Sequence, residues 1–290
     1  MRTLDRTGWA LIAPVHVLML AVITIPSVYV LWLSLHSSTF GSGLEWVGLD
    51  NFREVLSDPY FWRAARNTVL VVNAIVYVEV LLAIGIAVLF MGGLRYPKLM
   101  FAIVLMPYAI TEVVAVLTWK TLLNPGTGFI SRAIEDMGFG LINWSISPPL
   151  ALGVSALISI WYHLPFTFLL IYAGMVSIPR TVYEAARVDG ATAWQQFWRI
   201  TLPLLVPAIL ITLIFRLVFA FRLFTEVWLL TFGGPARLTE VVAIYLYQGA
   251  FRYGRFGEAA ATGWLMVVGS LLIAAIYLWF MHRQMRGARP

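Results

Sequence analysis

The chain has no cysteine and little charge. Without thiols, disulfides, thiolate metal sites and cysteine nucleophiles are excluded. Charged residues make up 12% of the 290, about half of the roughly one quarter usual in a soluble domain. No G-x-x-x-x-G-K-[ST] run occurs, so the chain has no phosphate-cradling loop of its own. There is no H-E-x-x-H, no carboxylate cluster and no nucleophile constellation, and the 4 His residues are scattered. These absences argue against an enzyme and against a resident cofactor or metal. The net charge of +6 is not gathered into a basic block or helix face, which argues against nucleic acid as a partner.

What replaces charge is apolar side chain, at 61% of the residues. About 20 apolar residues cross a hydrocarbon core of roughly 30 Å. Runs of that length lie near Trp9–Leu35, Asn67–Met91, Leu99–Leu123, Leu150–Ala173, Pro203–Phe224 and Thr262–Met281. The expected fold is all-α: a polytopic membrane protein of about six transmembrane helices, with residues 1–290 forming one domain. Val241–Ala250 is apolar but too short to cross, and reads as an amphipathic or re-entrant piece on the outer side. The first run is too long for a cleaved signal peptide and lacks a small-residue cleavage site, so it reads as a retained span.

Orientation follows from loop cations. Met1–Gly8, Gly92–Lys98, Gly174–Leu202 and the tail from His282 hold Arg2, Arg6, Arg95, Lys98, Arg180, Arg187, Arg199, Arg283, Arg286 and Arg289. Only Asp5, Glu184 and Asp189 oppose them. The other segments carry Glu45, Asp50, Glu54, Asp58, Glu135, Asp136, Glu226, Glu240 and Glu258. The cation-rich set is expected in the cytoplasm, together with both termini. The outer connectors carry turn signals such as Asn124-Pro125-Gly126, Pro148-Pro149 and Gly233-Gly234-Pro235.

The segment between the fourth and fifth runs, residues 178–203, is the most informative. Thr181 and Glu184 have capping-box spacing, and Gly190 suits the residue just past a helix end. This predicts a two-turn helix. Thr192 and Gln195 repeat the spacing and predict a second short helix through Trp194, Phe197 and Trp198 before Leu202-Pro203 opens the fifth span. Two capped helices meeting at a glycine make a stiff elbow. Ala185, Ala186 and Ala191 are small enough to let another protein approach its backbone. The plainer reading is a connector in which Glu184 only caps a helix.

Glu184-Ala185-Ala186, Gly190, Ile200 and Leu202-Pro203 fit EAA–x3–G–x9–I–x–LP without a gap. The chain therefore resembles the permease subunits of binding-protein-dependent ABC importers, whose EAA loop forms a coupling helix docked on a cytoplasmic ATPase. The resemblance runs from the first span to the last, and is greatest to sugar-type, maltose-transporter-like permeases. It is carried by Met106-Pro107, Trp119, Asn124-Pro125-Gly126, Trp161, Pro165-Phe166, Ala173-Gly174, Ile178-Pro179, Asp189-Gly190-Ala191, and Thr231-Phe232-Gly233-Gly234-Pro235 with Thr239. Phe224-Thr225 departs from it, since sugar permeases often have Phe-Asp there.

The resemblance implies Glu184, Ala185, Ala186, Asp189, Gly190 and Ala191 as the ATPase-coupling residues. It also implies a second permease subunit, two copies of an ABC ATPase carrying ATP and Mg, an extracytoplasmic solute-binding protein, and a bacterial or archaeal inner membrane. The implied solute is a di- or oligosaccharide, with glycerol phosphate derivatives second. A secondary transporter is the alternative from another class, but no convincing internal repeat is visible.

Three charges fall inside apolar runs: Glu79, Glu112 and Arg216. A centred charge costs about 2.5–3.5 kcal/mol on insertion scales, so these groups should face the protein interior or water, and Arg216 should pair with one of the carboxylates. The pair would serve as an interhelical tie or as a translocation-path contact. Sugars bind through aromatic faces and directed polar groups, which adds Tyr108, Trp119, Trp161, Tyr162, His163, Phe219 and Arg222 as candidates. Aromatic residues are also routine at membrane interfaces, and His163 close before Pro165 can simply bond a backbone carbonyl.

Overall fold

A computed structural model describes residues 6–39, 43–141 and 143–287. Arg2, Asp5 and Arg289, used above to orient the chain, lie outside the described residues. In order, the elements begin with α1 (Arg6–Ser34), β1 (His36–Ser37), β2 (Glu45–Trp46), α2 (Asp50–Ser57) and α3 (Pro59–Met91). Next come α4 (Pro97–Leu105), α5 (Glu112–Leu122), α6 (Phe129–Ile134), α7 (Pro148–Val176) and α8 (Arg180–Val188). The chain continues with α9 (Ala193–Gln196), α10 (Leu202–Ala220), α11 (Thr225–Thr231), α12 (Val242–Tyr247) and α13 (Phe256–Gly287). Among the described residues, five helices are long and apolar enough to cross a membrane, or up to six when a bent pair counts as one span.

The bent pair is the expected third span. It is not one continuous helix: α4 and α5 meet at 96° across a 3-10 turn at Met106–Ala109. Pro107 lacks the donor that an α-helix needs there. Ile110 and Thr111 then adopt extended backbone, with ψ 158 and 149. The break leaves Glu112 in the first turn of α5, where the helix dipole favours a negative charge. The fifth span also differs. It begins at Ala193 rather than Pro203, because α9 runs into α10 through a π-helical turn at Phe197–Thr201. Pro203 has no N–H for the preceding turn, and a π turn is one way a helix absorbs that loss. It ends at Ala220, and α11 follows as a separate short helix.

The chain forms two compact units, 1–62 with 245–267, and 63–244 with 268–290. In the first, β1 and β2 pair antiparallel, with His36 opposite Trp46. Asn51 Nδ2 donates to the carbonyls of Ser34 (2.8 Å) and His36 (2.9 Å), holding the end of α1 against α2. Gly257 lies so close to His36 and Asn51 that a side chain there has no room. Within α1, none of the most apolar stretch is buried. A helix apolar on every side is suited to lipid or to a neighbouring helix.

The second unit is built around α3, α7 and α10. Val72, Val76 and Val80 of α3 pack with Leu213 and Leu217 of α10. Ala83 and Ala87 pack with Phe168, Ile171 and Met175 of α7 and with Leu205. Phe90, Phe101, Phe168 and Tyr172 close one end with ring centroids 4.6–5.8 Å apart. At the other end, Asn67 Nδ2 donates to the carbonyls of Leu238 and Glu240, both at 2.9 Å, and anchors the connector after α11.

Helices α7 and α10 pack tightly at Gly174, where an added Cβ would collide with Ala208 and crowd Leu205. Gly174→Leu is therefore expected to lower the apparent melting temperature of the detergent-solubilised protein, at the about 1–3 kcal/mol typical of overpacking. Gly153→Ala, where an added Cβ meets nothing within 4 Å, should leave that temperature unchanged or raised. Equal behaviour of the two variants would contradict this packing.

Candidate functional site

The loop before the fifth span is a short helix with a defined stop. The helix α8 starts after Pro179, two residues earlier than expected, so Thr181 already lies inside its first turn and makes no cap. The expected Thr181–Glu184 box does not form. At the other end, the Ala191 N–H bonds the Ala186 carbonyl at 2.9 Å and the Gly190 N–H bonds the Arg187 carbonyl at 3.1 Å. With Gly190 at φ +76, this is a Schellman stop, which favours glycine. The second box does form: Gln195 N–H donates to Thr192 Oγ1 (3.3 Å), and Thr192 N–H donates to Gln195 Oε1 (2.8 Å).

Two contacts brace the elbow. The Tyr183 and Thr201 hydroxyls lie 3.0 Å apart, and Gln196 Nε2 donates to the Ala191 carbonyl at 2.8 Å. Glu184, Ala185, Asp189 and Gly190 are exposed, and Ala191 is half-buried. Val188 projects an apolar side chain that is 89% exposed. Ala186, expected with Ala185 and Ala191 to lie open to an approaching protein, is instead buried.

The second cluster lies further along the same long helix. Arg216, 2% exposed, points Nε at Glu79 Oε2 (2.6 Å) and Nη2 at Oε1 (2.8 Å). Glu79 is fully buried and also accepts from Thr167 Oγ1 at 3.0 Å. Three helices, α3, α7 and α10, thus meet at one carboxylate. Of the two possible partners for Arg216, the fold selects Glu79. Glu112 instead faces a cavity of about 390 Å³, whose wall also includes Tyr108, His163, Arg216, Phe219 and Arg222. Ser159, Phe166, Thr225 and Glu226 complete much of the lining.

His163 Nδ1 donates to the Ser159 carbonyl at 3.0 Å, which leaves Nε2 as an acceptor in the neutral ring. Glu226 is buried, with the Ser159 hydroxyl as a hydrogen-bond partner and Glu112 as a like-charged neighbour. Trp161 and Tyr162 are not part of the lining. Trp161 packs edge-on against Trp119 at 5.5 Å, and Tyr162 against Tyr108 at 5.5 Å, with its hydroxyl 3.3 Å from the Ile110 carbonyl. Among the described residues no group of three or more His, Asp or Glu side chains is gathered to hold a metal ion.

The sequence profile of the family described as "binding-protein-dependent transport system inner membrane component" matches residues 7–289. The chain belongs to that family. It is an inner-membrane permease component of ABC transporters, a membrane subunit rather than an enzyme in itself. The permease is 32% identical to the trehalose/maltose transport system permease protein MalF of Thermococcus litoralis, over 94% of this chain and 92% of that one. It is 32% identical to the trehalose transport system permease protein SugA of Mycobacterium tuberculosis, over 98% and 92%. A chain in the crystal structure of a bacterial alginate ABC transporter, in complex with an alginate pentasaccharide-bound periplasmic protein, superposes with TM-score 0.82 at 25% identity, covering 93% of this permease and 91% of that chain.

Some lining residues of the permease were not visible in its sequence. Glu226 reads there as an outer-loop acid, yet it is 3% exposed on α11, which packs against α5 and α7. The apolar run Val227-Trp228-Leu229-Leu230 directly after it was the available signal. Ser159 and Phe166 sit seven residues apart on α7, two turns of one face; nothing in their identity distinguishes them from core.

Removing one partner of a buried ion pair leaves a bare charge and costs about 3–5 kcal/mol, whereas replacing both with apolar groups is often neutral. Arg216→Met and Glu79→Leu are therefore each expected to reduce the thermal stability and assembled yield of the permease. The double variant should recover most of that loss, as read by melting curves of purified protein. Additive losses in the double variant would show that the pair is not the tie described.

Proposed function

We propose that this permease forms half of the translocation pathway of an ATP-driven sugar importer. It would act with a second permease subunit, two copies of a cytoplasmic ABC ATPase that carry ATP and Mg, and an extracytoplasmic solute-binding protein. On this reading residues 1–290 act as one permease domain, with both termini and the 178–203 loop in the cytoplasm. Glu184 and Ala185 of α8, with Asp189, Gly190 and Ala191 just beyond its end, form the ATPase-facing surface, and the projecting Val188 lies beside them. Tyr108, Glu112, His163, Arg216, Phe219 and Arg222 face the solute. Trp161 and Tyr162 support that wall from behind. The two relatives named for trehalose and maltose transport support a di- or oligosaccharide.

One observation carries the mechanism. A single helical run, 193–220, joins the Gly190 elbow to the cavity wall at Arg216, Phe219 and Ala220. At 1.5 Å per residue this lever is about 40 Å long. Closure of the ATPase pair would displace α8, and the braced elbow would pass that displacement along α9 and α10 to the cavity. A floppy joint would absorb it; the Schellman stop, the Thr192 box and the Tyr183–Thr201 contact resist that. Alternating access then follows as a rigid-body transition between two packed arrangements.

Two experiments test this. The natural absence of cysteine makes single-cysteine scanning clean. Val188→Cys should crosslink to the ATPase in the assembled complex and be labelled only from the cytoplasmic side; labelling from outside, or no crosslink, would refute the orientation and the docking face. In reconstituted vesicles, Gly190→Pro or Glu184→Lys should lower solute transport about tenfold, equivalent to about 1.4 kcal/mol of lost coupling, while the complex still assembles and hydrolyses ATP. Transport at the wild-type rate in both variants would count against the lever.

A further inference from the structure

The charges around the cavity are unequally committed. The Arg216 guanidinium, its strongest cation, already gives two charge-assisted hydrogen bonds to Glu79 at 2.6 and 2.8 Å, so the two form a locally neutral unit. Among the described residues Glu112 and Glu226 form no ion pair, and both line the same cavity. Arg222, exposed, is the remaining cation on the wall. Taking Glu79 with Arg216, the wall therefore carries more carboxylate than free cation. It also offers further acceptors: His163 Nε2, left free by the bond from Nδ1 to the Ser159 carbonyl, and the Tyr108 phenol. Phe166 and Phe219, edge to face at 6.2 Å, supply the apolar surface on which the C–H face of a sugar ring can rest.

We infer that the Glu112–Glu226 pair makes this cavity selective for an uncharged, hydroxyl-rich sugar over its acidic counterpart. Hydroxyls donate to both carboxyl groups, and such bonds to ionised acceptors are roughly twice as strong as neutral ones. A uronate brings its own negative charge to a wall that already holds two carboxyl groups, and finds one guanidinium outside the Glu79 pair to meet it. Discrimination here comes from the repulsive element as much as from the attractive one. The inference rests on the reading of this cavity as the solute path, and it assigns to Glu112 and Glu226 a specificity role in addition to solute contact.

The test is solute binding to the permease–ATPase complex in nanodiscs, without the solute-binding protein, so that the cavity alone discriminates. The probes are a panel of neutral disaccharides that includes trehalose and maltose, and the corresponding disaccharides carrying a uronate ring. Wild type should bind its preferred neutral sugar about tenfold more tightly than the matching uronate, a difference of about 1.4 kcal/mol. Glu112→Gln and Glu226→Gln should each narrow that ratio to about threefold or less, chiefly by improving uronate binding. Glu112 is only half-buried, so its variant keeps the test decisive if Glu226→Gln fails to assemble. Equal wild-type affinities for neutral and acidic sugars, or a ratio unchanged in the variants, would overturn the inference and leave the importer reading standing. Failure of every sugar to bind wild type or to stimulate its ATP hydrolysis would overturn both.

Discussion

The second unit of this permease depends on a buried carboxylate answered by a buried guanidinium. Glu79 and Arg216 come from helices far apart in sequence and meet in two short hydrogen bonds, with Thr167 of a third helix as the additional donor. Neither charge is tolerable alone in an apolar bundle, because the desolvation cost falls on whichever group lacks its partner. The pair thus fixes the rotation of α3, α7 and α10 about their own axes. Apolar packing by itself specifies such rotation weakly, since many aliphatic faces are interchangeable. The clusters of Val72, Val76 and Leu213 on one side, and Ala83 and Phe168 on the other, then fill in around a register already chosen.

That constraint has a second effect. With Arg216 held by Glu79, one wall of the cavity is set, and the break between α4 and α5 brings Glu112 to another. The bend at Pro107 and the short helix α11 are departures from plain spanning helices. In a bilayer, irregular backbone persists only where protein or water satisfies it. Here it occurs beside the polar cavity, with Lys120 Nζ donating to the Leu229 carbonyl at 2.6 Å to secure α11. Irregularity and polarity coincide because each needs the other.

The loop of residues 178–203 follows a different logic. Its helix is too short to be stable alone, and its order comes from end-capping and from two braces to the fifth span. The sequence pattern located the stop at Gly190 and the restart at Thr192 correctly. It misplaced the start, because Thr181 and Glu184 have capping-box spacing while Pro179 opens the helix earlier. Local motifs compete, and the winner depends on how the preceding span ends.

By itself the sequence determined the helical membrane class, the approximate spans, the elbow and the candidate charges. Those depend on composition, on hydropathy along a line, and on contacts within a few residues, all of which are written locally. Only the tertiary structure decided which carboxylate Arg216 takes, that Glu226 turns inward while Trp161 and Tyr162 stay out of the cavity, and that Ala186 is buried. These outcomes depend on which helix faces meet. A linear pattern that is apolar on nearly every side carries almost no information about facing, so packing between distant segments had to supply it.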